Sequence, residues 1–422
     1  MRAITFLLFL SVALLSAKGQ DTLTLDRCLD DAVRSAPRAA DAAVIRENAL
    51  LKQENIGTGW LPSLSLSGKA TWQSDVVELS IENAPFPIEF PAIPHDQYSI
   101  TLDIRQLIYD GGLTRKMKEL EENSAGIELK QVDVDLFLLK DQVNQLFFSI
   151  LLLQENRRNL ALTMENLKER EKNLECAVKN GVSTENDLSV LRVEILRLLQ
   201  AMNELDSRRN ALLASLGILM GCDLSGDVFL DEPYPELAEN MDIQRPELDL
   251  FLMQQQMLDA SIALKKTERM PKLFAFGQAG YGRPGYNMLS SDFNPYYMAG
   301  LTFQWNIWDW KKNSRERQIL EQKKQIVSHA EDQFRRQLSL LTSRELAAVE
   351  QYRKALDLDE HILDLQKKVS ANAASQLENG TLSSSSYLIE LNRETGARIS
   401  ASLHRIQMRQ AMANILILNG NL

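Results

Sequence analysis

Chemistry needs particular side chains at particular spacings, and this chain of 422 residues offers few such sets. Its four histidines, His95, His329, His361 and His404, are scattered and lack the spacing of metal ligands. Gly277-Gln278-Ala279-Gly280-Tyr281-Gly282 has the outline of a phosphate loop. It lies inside an alternating run, however, and no Lys-Ser/Thr follows, so its glycines read as strand glycines. Gly68-Lys69 lacks the upstream glycine of a P-loop. The 13 Met fall along apolar helix seams and read as core. With no nucleophile–base pairing either, the sequence predicts no enzyme, no cofactor and no metal site.

Composition narrows the remaining classes. Lys and Arg number 47 against 57 Asp and Glu, a net charge of −10, which argues against binding nucleic acid. A mean hydropathy of −0.22 argues against a polytopic helical membrane protein. Past the N-terminus the most apolar stretch, Leu146 to Leu153, falls short of the roughly 20 residues of a spanning helix. Residues 1–19 read as a secretory signal peptide: Arg2, then the apolar run Ile4 to Leu15, then small Ala17 and Gly19 before a cut at Gln20. Its removal deletes Arg2 and Lys18 and takes the charge from −10 to −12. Cys28, Cys176 and Cys222 are odd in number and widely spaced, so they do not form a disulfide scaffold. None follows the apolar run where a lipoprotein carries its acylated cysteine.

The rest of the chain is one unit written twice, over 20–242 and 243–422. Leu61-Pro62-Ser63-Leu64 is echoed by Met270-Pro271-Lys272-Leu273, Asp110 by Asp309, and Asn180-Gly181 by Asn379-Gly380. The last two pairs share an offset of 199 (309 − 110 = 380 − 181), which predicts helices of equal length in both copies. Helical spacing before Pro62 gives way to period two, with Leu64, Leu66, Ala70 and Trp72 on one side and Ser63, Ser65, Ser67, Lys69 and Thr71 on the other. A Pro-rich loop (Pro85, Pro87, Pro91, Pro94) leads to a second alternation, and the later copy carries two more. The expected strands are 62–73, 97–108, 272–282 and 297–307. From Val132 to Val178 an apolar heptad seam is broken only by Arg157 and Glu171, a coiled-coil-like signal. Long helical hairpins are therefore expected over 113–220 and 311–418, antiparallel about the Asn-Gly turns.

Strands of about ten residues, apolar on one side and ending in aromatics such as Trp72, Tyr98, Tyr281 and Tyr297, match a membrane β-barrel. Lys69, Thr71, Thr101, Asp103, Arg105, Thr302 and Gln304 would then face its lumen. Four strands cannot close a membrane barrel, and open edges cannot sit in hydrocarbon, so several chains would have to share one. The same alternation also suits a periplasmic or secreted coiled-coil scaffold with a soluble β-sheet.

Leu61-Pro62 before the first strand, Ile108-Tyr109-Asp110-Gly111-Gly112 after the second, the turns at Asn180-Gly181 and Gly380-Thr381, and Arg245-Pro246-Glu247-Leu248 opening the second copy together resemble the TolC-like outer-membrane efflux proteins. The resemblance covers essentially the whole mature chain. It implies a mixed fold of four transmembrane strands per protomer plus long helices. A homotrimer would share a 12-stranded β-barrel in the outer membrane and an α-helical barrel reaching into the periplasm of a Gram-negative bacterium. It further implies a passive channel for efflux or type I secretion, partnered by a periplasmic adaptor (membrane fusion) protein and an inner-membrane transporter. Gly181, Val182, Ser183 and Thr184, with Gly380, Thr381, Leu382 and Ser383, would be the tips that meet the adaptor. Asp187 and the matching Ser386 would be the candidate gate. Trp310 and Lys311 depart from the pattern, standing where a glycine pair is expected after Asp309.

Overall fold

The computed structural model describes residues 22–76, 94–224, 228–238, 241–287 and 290–422. The expected signal peptide and most of the Pro-rich loop lie outside these residues.

The first copy runs β1 (Thr22–Leu23), α1 (Leu25–Ser35), α2 (Pro37–Gly57), β2 (Ser63–Trp72), β3 (Asp96–Tyr109), α3 (Leu113–Lys179) and α4 (Glu185–Met220). The second runs β4 (Phe229–Leu230), α5 (Pro246–Thr267), β5 (Lys272–Arg283), β6 (Asn294–Gln304), α6 (Lys312–Glu378) and α7 (Ser384–Asn419). Helices α3 and α6 both have 67 residues, and α4 and α7 both have 36. Local signals set these equal lengths. Thr184 and Ser383 cap α4 and α7 by accepting the amides of Asp187 and Ser386. Gly221 and Gly420 end them in the left-handed conformation, and Gly181 and Gly380 turn the hairpins with φ of 72° and 69°.

The compact units cut across the repeat. Of the described residues, one comprises 22–39, Val134–Pro246 and Arg335–Leu422; the other comprises Ala40–Asp133 and Glu247–Phe334. Each draws on both copies.

In the first unit, Cys28, Leu29 and Ala32 of α1 join Val143, Phe147, Phe148 and Leu151 of α3 and Leu213 and Leu216 of α4 in one core. Against the sequence expectation, α3 is long and apolar enough to cross a membrane by length and composition, with an 18-residue window of mean hydropathy 1.4. Only 33% of that window is buried, in part by the core against α1 and α4, so the rest of its apolar surface is not fully covered by the described residues. The two breaks in the α3 seam are answered by α4: Arg157 pairs with Asp206 at 2.5 Å, and Arg192 reaches Glu171 at 2.8 Å. Half-exposed pairs of this kind contribute at most about 1 kcal/mol each, so they make the breaks tolerable rather than strong. A buried polar ladder ties α3 to α7. Asn144 donates to Asn414 at 2.7 Å, Asn159 donates to Ser402 at 3.0 Å, and the Thr163 and Thr395 hydroxyls share a bond of 2.9 Å. Such groups are costly when mispaired, so the ladder favours one register between the copies.

The second unit holds a four-stranded antiparallel sheet in the order β2-β3-β5-β6. The last strand begins and ends three residues before the expected 297–307. Beyond Gln304 the chain leaves the sheet, where the Trp305 indole donates to the Arg269 carbonyl at 3.0 Å. Pro295, which has no amide to give, is tolerated because β6 is an edge strand.

Candidate functional site

Directly opposed residues of an antiparallel pair share a face, so the register assigns every strand side chain. Ser65, Asp103, Gln278 and Met298 form one row, and Ser67, Thr101, Gly280 and Tyr296 the next. All seven residues expected in a lumen (Lys69, Thr71, Thr101, Asp103, Arg105, Thr302 and Gln304) fall on this one face. The opposite face is almost wholly apolar and uncovered. Leu66 is 72% exposed, Trp72 74%, Tyr297 86% and Leu301 67%. Water would penalise such a surface, and a soluble sheet would cover it.

The polar face is less uniform than its alternation suggests. Across β2 and β3 it presents Ser, Thr, Lys, Asp and Arg, but across β5 and β6 it also presents Phe274 opposite Thr302, and Phe276 and Tyr296 opposite Gly300 and Gly280. A Cβ at Gly280 would lie 2.4 Å from the Tyr296 ring, and one at Gly300 would lie 2.9 Å from Phe276. These glycines make room for rings to lie flat across the sheet, as aromatic–glycine pairs do. The signal was in the sequence: every other residue of Phe276–Gly282 is Phe, Gln or Gly, never a large aliphatic. Arg105 stacks over Phe274 at 4.1 Å, and Gln278 donates to Asp103 at 2.6 Å, joining the two halves.

The second candidate region is the pair of hairpin turns in the first unit. Gly181, Val182, Thr184, Gly380, Thr381 and Ser383 are exposed, Val182 at 68%. Ser183 is half-buried, and Leu382 turns inward against the cluster of Leu191, Ala374 and Tyr387. Between the turns lies a cavity of about 570 Å³ lined by Arg170, Asn173, Thr184, Glu378 and Thr381, among others. Asp187 is half-buried and joins the two turns: its carboxylate accepts the Thr184 hydroxyl at 2.6 Å and the Ser384 amide at 3.2 Å. The Thr184 bond holds this carboxyl below its usual range against the opposing effect of burial, with the Ser384 amide adding to it. Ser386, its counterpart, bonds only within its own turn, to Ser383 at 3.0 Å. Arg170 of α3 pairs with Glu378 of α6, a second tie between the hairpins that spacing did not suggest.

Among the described residues, no three His, Cys, Asp or Glu side chains gather as a metal site requires.

No protein-family model matches the sequence, and no curated protein matches it by sequence. Solved structures do match. The outer membrane protein VceC of Vibrio cholerae superposes with a TM-score of 0.67 at 12% identity, over 94% of this chain and 96% of that one. The Campylobacter jejuni CmeC outer membrane channel gives 0.65 at 16%, over 94% and 85%. The open state of the Neisseria gonorrhoeae MtrE outer membrane channel gives 0.62 at 14%, over 94% and 88%. At these identities the likeness is one of fold, and it spans nearly the whole chain. The resemblance to the TolC-like family holds at that level.

Proposed function

We propose, on the premise of a fold shared with outer-membrane channels, that this chain is the outer-membrane duct of a tripartite efflux or type I secretion system. Three copies, with four strands each, would close one 12-stranded barrel in the outer membrane of a Gram-negative bacterium, and their helices would continue the bore into the periplasm. Cargo would pass unchanged from an inner-membrane transporter through a periplasmic adaptor, with no catalysis by the duct. The signal peptide at 1–19 would send the chain out of the cytoplasm, and the two repeats would supply equivalent strand pairs and hairpins.

The observation that carries this reading is the two-faced sheet: an uncovered apolar face behind a polar one, on strands of 10–14 residues whose two edges have no partner strand among the described residues. Lipid suits the first face, a watery lumen the second, and neighbouring chains the edges. The helices add independent support, since α6 leaves Leu358, Ile362, Leu365 and Val369 exposed at steps of four, three and four, a seam awaiting another helix. The turn residues Gly181, Val182, Ser183, Thr184, Gly380, Thr381, Leu382 and Ser383 are the proposed adaptor contacts, with Ser183 and Leu382 the two that are half-buried. Asp187 and Ser386 are the proposed gate, with Asp187 acting through its tie to the second turn.

Fractionation tests the whole reading. The protein should need detergent for extraction from the outer membrane and run as a heat-modifiable trimer. A freely soluble periplasmic monomer would end it. Replacing Asp187 with Ala should change single-channel conductance and cation block; unchanged values would remove the gate while leaving the duct.

A further inference from the structure

The connection between β5 and β6 joins the strand ends farthest along the chain from the helices, and its aromatics grip both faces of the sheet. Phe293 stacks on the apolar face with Tyr281 at 5.8 Å and Tyr98 at 6.3 Å. Tyr286 goes to the other side. Its hydroxyl donates to Gln278 at 2.8 Å, and its ring meets that of Tyr296 at 4.6 Å. Gln278 is in turn held by Asp103 at 2.6 Å, and Asp103 also accepts the Thr101 hydroxyl at 3.0 Å. Tyr286 is therefore fixed on the polar face by a chain of three side chains, Gln278, Asp103 and Thr101, reaching across to β3. Tyr296 lies flat beneath it because Gly280 leaves the room. A cavity of about 210 Å³ beside them is bounded by Lys69, Thr71 and Gln97.

We infer that Tyr286, seated on Tyr296, forms an aromatic collar at the outer end of the bore and limits the size of solutes that pass there. This rests on the proposed function, because the polar face must line the bore for the collar to narrow it. In a trimer the collar has three copies, each projecting a ring over the polar wall. Its hold is a neutral hydrogen bond backed by ring packing, so it acts by bulk and not by charge. Pore dimension and lining together decide what a channel admits.

The test uses the full-length trimer in outer membranes, with the exposed Cys176 and Cys222 replaced by Ser and Cys28 left in its core. A cysteine is placed at Ser63, on the polar face two rows nearer the helices than Tyr296. Small and bulky charged thiol reagents are then added from outside. The small reagent should react equally with and without Tyr286→Ala. The bulky one should react about tenfold faster in Tyr286→Ala, as relief of a steric barrier predicts. Tyr286→Phe, which keeps the ring, should stay close to the parent. Equal bulky-reagent rates in Tyr286→Ala and its parent would overturn the collar while leaving the bore intact. Failure of both reagents to reach Ser63→Cys in any background would instead overturn the bore, and the collar with it.

Discussion

The two exits from strand to long helix, Asp110-Gly111-Gly112 and Asp309-Trp310-Lys311, stand 199 residues apart and follow the same path with different residues. Gly111 and Gly112 have φ of 68° and 86°; Trp310 and Lys311 have 54° and 59°. Asp110 accepts the amides of Gly112 at 2.8 Å and Thr114 at 2.6 Å, and Asp309 accepts that of Asn313, the counterpart of Thr114, at 2.9 Å. The first helical bonds match too, Lys116 to Gly112 and Arg315 to Lys311. A carboxylate and the opening turn of a helix thus suffice to hold two residues with side chains in a conformation that costs each about 1–2 kcal/mol. The sequence departure at Trp310 and Lys311 leaves the turn unchanged. Glycine at 111 answers a different need: a Cβ there would lie 2.2 Å from that of Met270, whereas nothing approaches one at Gly112. Trp310 has no such neighbour. It is 77% exposed and meets Trp308 edge-on at 5.7 Å.

The largest effect should therefore come from Gly111→Ala, about 3 kcal/mol of lost stability from conformation and overpacking combined. Gly112→Ala, with conformation alone to contend with, should lose about 1 kcal/mol. Denaturant unfolding of the detergent-solubilised protein, followed by circular dichroism, measures both; equal losses would refute the role of Met270. Asp110→Ala leaves two amides without their acceptor and should cost about 1–2 kcal/mol, with Asp309→Ala costing less in the same assay. Trp310→Gly should stabilise the protein by up to about 1 kcal/mol, the relieved strain less the added chain entropy. A destabilised Trp310→Gly would mean that the indole has a partner in the assembly.

The smallest effect concerns pH. Burial opposes ionisation of Asp110, but bonds from the Thr114 hydroxyl and amide and the Gly112 amide outweigh it and lower its pKa from 3.8. A carboxyl whose pKa is lower when folded contributes stability that is complete above its unfolded value and fades as pH falls through the folded one. Unfolding free energies between pH 7 and pH 3 should therefore slope less on the acid side in Asp110→Asn than in the parent.

What the sequence revealed was local or periodic. Asn-Gly turns and the common offset carry the helix lengths, and the two-residue alternation carries the faces of β2 and β3. What it concealed was pairing between distant positions. Asp187 and Ser384 are 197 residues apart, and Asn159 and Ser402 are 243 apart, so no spacing rule brings them together. The polar side of β5 was legible only as a lack of large aliphatics, because it carries Phe274 and Phe276 where a polar face would carry Ser or Thr. The end of β6 was displaced because Trp305 continues the aromatic pattern while its indole has already been captured by Arg269.

Among the described residues, strands β2 and β6 each have only one neighbouring strand. An edge of bare amides and carbonyls is tolerable in water and prohibitive among acyl tails, where each lone group costs several kcal/mol. Under the proposed trimer, such a chain would have to meet its companions before entering lipid, making assembly and insertion one concentration-dependent event. On that reading a dilute or surplus subunit would strand as a soluble intermediate open to chaperones and proteases, not as a leaky half-pore.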